Sequence, residues 1–290
     1  MNFNLFLSLL DILNLKSIEH NIYQGHSKTI GSPIVFGGQV LAQSLNAAYR
    51  SVSPDRFLHS VHAYFLSAGR LDSEIRFEVS TIRDGKSFSV RRVTVFQDQR
   101  TIMILAASFH IHEEGFEHQI DVAKDITQPE DLMNWNDLLI KYESVLSQEA
   151  KFFLKMPRPI EFRPMFYDIP GNGESLPPIN HVWFKLKNDF KSSSLALKQQ
   201  VLTYISDYNI LITAMHPHTD TNHWSDFMSA SLDHSIWFFR DFDFNDWMLF
   251  SIDSPSSQNA RGFSRGNIFT KDGILIASVA QEGLMRPIKR

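Results

Sequence analysis

Phe36-Gly-Gly-Gln-Val-Leu-Ala-Gln-Ser-Leu-Asn-Ala-Ala-Tyr-Arg50 is the stretch that decides the fold. A glycine pair opens it, and Val40, Leu41, Leu45 and Ala48 then share one face of a helix. The chain does not go on to a second helix. It runs instead through four segments of strand character: His59 to Leu66, Ile75 to Ile82, Phe88 to Phe96 and Thr101 to His110. Asp84-Gly85 marks a turn between two of them. One helix followed by consecutive strands predicts α+β with an antiparallel sheet, not alternating α/β.

Further along, the same order returns. Residues 198–215 read as a helix. Ser231 to Phe239, Met248 to Ser254, Arg261 to Phe269 and Ile274 to Gln281 then read as strands. Three short matches fall in the same order. His62-Ala-Tyr-Phe-Leu pairs with His234-Ser-Ile-Trp-Phe, Lys86-Ser-Phe-Ser with Arg261-Gly-Phe-Ser, and Ala107-Ser108 with Ala277-Ser278. Duplication of one unit accounts for all three. The expected organisation is a first unit over 1–120, a linker with a helical segment over 121–180, and a second unit over 181–290. Docking the two units edge to edge would remove one exposed sheet edge from each.

The 290 residues are 43% hydrophobic and 21% charged, the balance of a globular chain. Twenty-four phenylalanines predict a large aromatic core or an apolar ligand channel. A net charge of −4 without a basic run speaks against nucleic acid as a partner. Without any cysteine, disulfides and a thiolate nucleophile are excluded. Leu5, Leu9, Ile12 and Leu13 predict a short amphipathic helix, not a signal peptide, and no stretch is apolar enough to span a membrane. A cytoplasmic location is expected.

Two motifs invite a wrong reading. Gly262-Phe-Ser-Arg-Gly266 matches the nucleophile elbow of serine hydrolases. The elbow needs a buried strand before it, a helix after it and a later histidine. Ser254-Pro-Ser-Ser-Gln-Asn does not read as a buried strand, no histidine follows Ser264, and the next segment reads as strand and turn. His110-Ile-His112 and the group His216, His218, Asp220 and His223 lack the closed spacing of a zinc site, so no metal is expected.

Asp207 is the informative residue. It sits among Ile205, Tyr208 and Leu211 within the second predicted helix, where aspartate is a mediocre choice. The corresponding first-half helix has no acid at all. The surrounding runs carry a resemblance. Tyr204-Ile-Ser-Asp-Tyr-Asn, Ala230-Ser-Leu-Asp-His-Ser-Ile-Trp-Phe and Ala260-Arg-Gly-Phe-Ser-Arg-Gly, with Ala277-Ser-Val-Ala-Gln-Glu-Gly-Leu-Met-Arg286, resemble the acyl-CoA thioesterase II (TesB-like) family. Val35-Phe-Gly-Gly-Gln-Val-Leu-Ala-Gln, His59-Ser-Val-His-Ala-Tyr-Phe-Leu and Arg83-Asp-Gly-Lys-Ser-Phe-Ser extend it through the first half.

That resemblance implies a double hotdog, two sheets each wrapping its own helix and joined into one. It implies hydrolysis of acyl-CoA without a cofactor, in a homo-oligomer, a dimer or tetramer. It also implies a catalytic trio of Asp207, Ser231 and Gln281. The residue types suit the chemistry. A carboxylate orients water and takes its proton, while an amide and a hydroxyl donate and accept hydrogen bonds around it. The oxyanion needs a donor, for which Gly37-Gly38 at a helix start is the candidate. Lys86 and Arg261, equivalent by repeat, are candidates for the CoA phosphates. Aligning Ala107-Ser108 with Ala277-Ser278 puts Ile111 opposite Gln281, so one active site per chain is expected. Two alternatives stand beside this. A hotdog enoyl-CoA hydratase would need a histidine about five residues after its aspartate, and Asp207 is followed by Tyr-Asn-Ile-Leu-Ile. A non-catalytic acyl-CoA-binding protein would not need the trio.

Overall fold

A computed structural model of the chain describes residues 5–169, 172–188, 190, 194–220 and 226–288, with side chains from residue 9 onward. In chain order the first part contains α1 (Leu5–Leu13), β1 (Lys16–Glu19), β2 (Ile22–Gly25), α2 (Gly37–Tyr49), β3 (Phe57–Phe65), β4 (Ile75–Asp84), β5 (Phe88–Gln97) and β6 (Arg100–His110). Then come α3 (Trp135–Tyr142), α4 (Gln148–Lys155), β7 (Ile160–Pro164) and β8 (Ile179–Leu186). The remainder is α5 (Leu195–Ser206), α6 (Ile210–Thr213), β9 (Phe227–Ser231), β10 (Asp233–Phe238), β11 (Met248–Gln258), β12 (Arg261–Thr270) and β13 (Leu275–Pro287).

Among the described residues these strands form one 13-stranded sheet. Its order is β1-β2-β4-β5-β6-β3-β10-β13-β12-β11-β8-β7, with β9 against the far end of β13. Read from each edge inward, β2-β4-β5-β6-β3 and β8-β11-β12-β13-β10 have the same connectivity. The halves meet where β3 and β10 pair antiparallel, with Val61 opposite Ile236. This is the double hotdog that the resemblance implies. No described helix is long and apolar enough to cross a membrane.

The strand patterns explain the layering. Along β5 and β12 buried and outward positions alternate, because successive side chains point to opposite faces. α2 packs on β2, β4, β5 and β6, and α5 lies beside α2 and against β3. Leu41 and Leu45 of α2 are fully buried in one core cluster with Val201, Leu202 and Ile205 of α5. Each such leucine contributes about 1.5–3 kcal/mol. Phe77, Phe109, Phe184 and Phe250 fill the same core, which uses part of the phenylalanine excess. Buried glutamines tie helices to neighbours: Gln199 Nε2 donates to the Leu58 carbonyl at 2.8 Å, and Asn46 Nδ2 donates to Gln200 Oε1 at 3.1 Å.

Four features differ from the sequence expectation. The helix expected over 198–215 is broken. α5 ends at Ser206, Asp207 is its C-cap, and Asn209 takes a left-handed conformation (φ 66°) before α6 begins. Asp and Asn side chains compete with helical backbone bonds, and Asn tolerates the left-handed region. The strand expected over 231–239 is two strands bent at Leu232, because the Glu282 amide donates to Asp233 Oδ1 at 2.7 Å instead of to a strand carbonyl. β7, inside the segment read as a linker, pairs with β8 and belongs to the sheet. The strand expected to end at Ser254 runs on to Gln258, with residues 255–258 exposed.

Candidate active site

The broken helix puts Asp207 where two helix ends meet. Its carboxylate sits at the C-terminal end of α5 and faces the first turn of α2 from the other half. The Gly38 amide donates to Asp207 Oδ2 at 2.7 Å. A Cβ on Gly37 would lie 2.8 Å from Oδ2 and 3.0 Å from the Phe65 ring. One on Gly38 would lie 2.6 Å from both the Tyr204 carbonyl and the Phe36 ring. Only glycine allows the α2 backbone this close approach.

The Asp207 side chain is 4% exposed. Burial pushes its pKa up to about 7, against the downward pull of the Gly38 amide and the Gln281 side chain. The N-terminal pole of α2 also favours the anion. Oδ1 is buried and finds no hydrogen-bond partner among the described residues. The carboxylate thus has one oxygen anchored and one available for chemistry.

Gln281 and Ser231 are brought beside it by sheet register. Gln281 points inward from β13, and Ser231, at the end of β9, pairs with Gly283. Gln281 Nε2 donates to Ser231 Oγ at 2.9 Å. Gln281 Oε1 lies 2.5 Å from His234 Nδ1, which is itself 3.9 Å from Asp207 Oδ1. His234 is fully buried, and desolvation lowers its pKa to about 4, so the ring is neutral. Its Nε2 lies 2.9 Å from Ser206 Oγ. All three expected catalytic residues therefore belong to one hydrogen-bonded or closely neighbouring cluster.

Residue-type reasoning passed over His234 and Ser206. His234 lies in the quoted Asp-His-Ser run, but nothing in the sequence shows that it faces inward while Asp233 faces away. The glycine pair is the sequence candidate for the oxyanion donor, yet the Gly38 amide is taken by the Asp207 carboxylate. Ser264 of the rejected elbow lies on β12 directly opposite Gln281, and its Oγ is buried without a partner among the described residues. Of the two cation candidates, Lys86 is exposed on the β4–β5 turn, and Arg261 is paired with Glu282 at 2.8 Å, on the sheet face opposite to Gln281. Neither joins the Asp207 cluster. His216 Nδ1 lies 3.0 Å from the Ile179 carbonyl and holds a loop, while His223 lies outside the described residues.

The first half does not repeat this arrangement. Leu58 of β3 and Phe109 of β6, fully buried and directly paired, fill the core side of the sheet there. His59 lies on the other face, where its Nε2 is 2.8 Å from Ser108 Oγ and its ring packs against Phe88 and His110. His62, matched with His234 in sequence, is exposed whereas His234 is buried. α2 carries no acid; its Asn46 faces α5 and donates to Gln200 Oε1.

Comparison with known proteins gives the family. Residues 147–284 match the family model described as acyl-CoA thioesterase, and residues 24–110 match that of the acyl-CoA thioesterase N-terminal domain. Acyl-CoA thioesterase 2 of Haemophilus influenzae is 39% identical over 96% of this chain and 97% of its own length. Acyl-coenzyme A thioesterase 8 of Mus musculus is 34% identical over 95% of this chain and 88% of its own. The crystal structure of an acyl-CoA thioesterase II from Mycobacterium marinum superposes with a TM-score of 0.79 at 32% identity, covering 97% of this chain and 99% of that one. A hot dog fold protein from Alicyclobacillus acidocaldarius gives 0.76 at 16% identity over 97% and 99%, a likeness of fold alone.

Proposed function

The chain belongs to the acyl-CoA thioesterase family and is a thioester hydrolase; from that premise we propose that it cleaves fatty acyl-CoA to the free acid and CoA, with Asp207, Ser231 and Gln281 as the catalytic residues. The observation that carries this reading is the unpaired, buried Oδ1 of Asp207 beside the Gln281–Ser231 pair. A water bonded to Oδ1 would be oriented and deprotonated as its oxygen attacks the thioester carbonyl carbon. The C–S bond then breaks, and the proton held by Asp207 passes to the departing CoA sulfur. Ser231 and Gln281 supply hydrogen bonds to the water and the developing oxyanion.

A hydratase reading has one spatial argument, the 3.9 Å approach of His234 to Asp207. Both ring nitrogens of His234 are engaged, by Gln281 and Ser206, so the ring has none left for a substrate proton. Thiol release from a series of acyl-CoAs tests the proposal directly. Turnover with thiol release is expected, and Asp207→Asn should reduce kcat at least ~100-fold with the fold intact. Binding without thiol release, or an unaffected variant, would contradict it. Homo-oligomerisation and a cytoplasmic location complete the proposal; light scattering in solution tests the first, with more than one chain per particle expected.

A further inference from the structure

We propose that His234 is a positioning residue for this reaction: it fixes the Gln281 amide so that both amide N–H bonds face the catalytic side, one toward Ser231 and one toward Asp207 and its water. The inference rests on the reading of Asp207, Ser231 and Gln281 as catalytic, and it adds the group that sets their polarity.

An amide can be turned either way, and its two orientations have opposite hydrogen-bonding character. A glutamine turned with its oxygen toward Asp207 would set two acceptors against each other and give the water no donor. The environment of Gln281 excludes that orientation through His234. The ring is fully buried, so it is held in place by its two nitrogens and by packing. The Asp207 carboxylate lies 3.9 Å from Nδ1 and favours the tautomer with its proton on that nitrogen. An Nδ1–H must then find an acceptor, and the atom 2.5 Å away is Gln281 Oε1. With its oxygen occupied, the amide has only N–H bonds left. One goes to Ser231 Oγ at 2.9 Å. The Ser231 hydroxyl, having accepted there, is free to donate onward.

The other end of the ring is consistent with this. Nε2 carries a lone pair in this tautomer; Ser206 Oγ lies 2.9 Å from it and 2.9 Å from the Thr203 carbonyl, and in the proposed arrangement its one proton turns to Nε2. Ser206 is the last residue of α5, immediately before Asp207. The same helix end therefore presents the carboxylate and, through Ser206 and His234, orients the amide that works beside it. The hydrogen bonds run one way, Ser206 to His234 to Gln281 to Ser231, and end in a hydroxyl proton directed at the substrate side. This assigns Gln281 and Ser231 as donors and leaves Asp207 as the acceptor of the water proton.

The test is steady-state thiol release by the full chain, with wild type, Asp207→Asn, His234→Leu, His234→Asn, His234→Gln and Gln281→Ala, plus the His234→Leu/Gln281→Ala double variant. In His234→Asn the new side-chain amide nitrogen can take the place of ring Nδ1, whereas in His234→Gln the longer side chain reaches toward the position of Nε2. His234→Leu is expected to lower kcat roughly 10–100-fold with KM within about threefold, the scale of an orienting residue. His234→Asn should recover most of that loss and exceed His234→Gln by about tenfold. In the Gln281→Ala background, His234→Leu should cost less than about twofold more, because it acts through the missing amide. An unchanged kcat in His234→Leu, equal losses for the Asn and Gln variants, or additive losses in the double variant would each overturn the proposal. Should the leucine variant not fold, the Asn-against-Gln comparison alone decides. Loss of activity in Asp207→Asn alongside full activity in His234→Leu would sink this inference and spare the catalytic reading. Full activity in Asp207→Asn would sink the reading itself.

Discussion

For single residues, what burial does to Asp207 bears on stability and, in the proposed mechanism, on turnover. Its pKa is raised to about 7 from an ordinary value near 4. The folded protein therefore holds a proton that the unfolded chain releases, and this group's contribution to stability falls as pH rises from about 4 to about 7. Asp207→Asn removes that cost. The variant should be more stable than wild type at pH 8, by on the order of 4 kcal/mol, with the gain shrinking to nothing near pH 4. His234 has the opposite sign: its depressed pKa makes the fold lose stability as pH falls below about 6.5, but it does so in both proteins and cancels in the comparison. Thermal unfolding of the pair across pH 4–8 measures the difference. Gly37 gives a second prediction. A methyl there would press on Asp207 Oδ2 and the Phe65 ring, so Gly37→Ala should lower kcat at least ~10-fold and push the carboxylate out of place, which the same thiol-release assay checks.

Among the elements, the α5–α6 break matters most. Aspartate within a hydrophobic run is visible in the sequence as an anomaly, but periodicity carries the helix straight through it. The break depends on a left-handed turn at Asn209, and such turns leave no mark on hydrophobic spacing. Asn209→Gly should be nearly neutral in thermal unfolding, whereas Asn209→Ala should cost about 1 kcal/mol, because alanine lacks the local hydrogen bonding that makes left-handed backbone tolerable. The four-strand sets and α2 are legible to within a few residues, since alternation and helical spacing survive on half-buried elements. The facing of the histidines is not. His62 matches His234 in sequence but is exposed where His234 is buried, and the bulge between Leu58 and Ser60 shifts the register without changing the composition.

In the whole molecule, the site is built by both halves. The second supplies Asp207, Ser231, Gln281 and His234; the first supplies the Gly37–Gly38 backbone and Phe65. The fused sheet holds the C-terminal end of α5 against the N-terminal end of α2, which a lone unit cannot do. The proposed trio comes from family resemblance, and its closeness in space is visible only in the structure; the division of labour has no local pattern at all, because none says which helix ends will meet. In the first half, Asn46 of α2 faces α5, and Leu58 and Phe109 fill the core side of the sheet where the second half has its histidine and amide. Placing Asn46→Asp in an Asp207→Asn background should therefore restore no detectable thiol release, which a standard assay of the double variant checks. Recovery of turnover would mean that a carboxylate on α2 works without the polar neighbours that Leu58 and Phe109 replace.

Whether Asp207 is the base is decided by the pH dependence of kcat/KM for thiol release. A buried carboxylate acting as base must be ionised, so the profile should rise about tenfold per pH unit through the acid range and level off above about pH 7, with the limb absent from the residual activity of Asp207→Asn. A flat profile from pH 5 to 8, or the same limb in the variant, would contradict it.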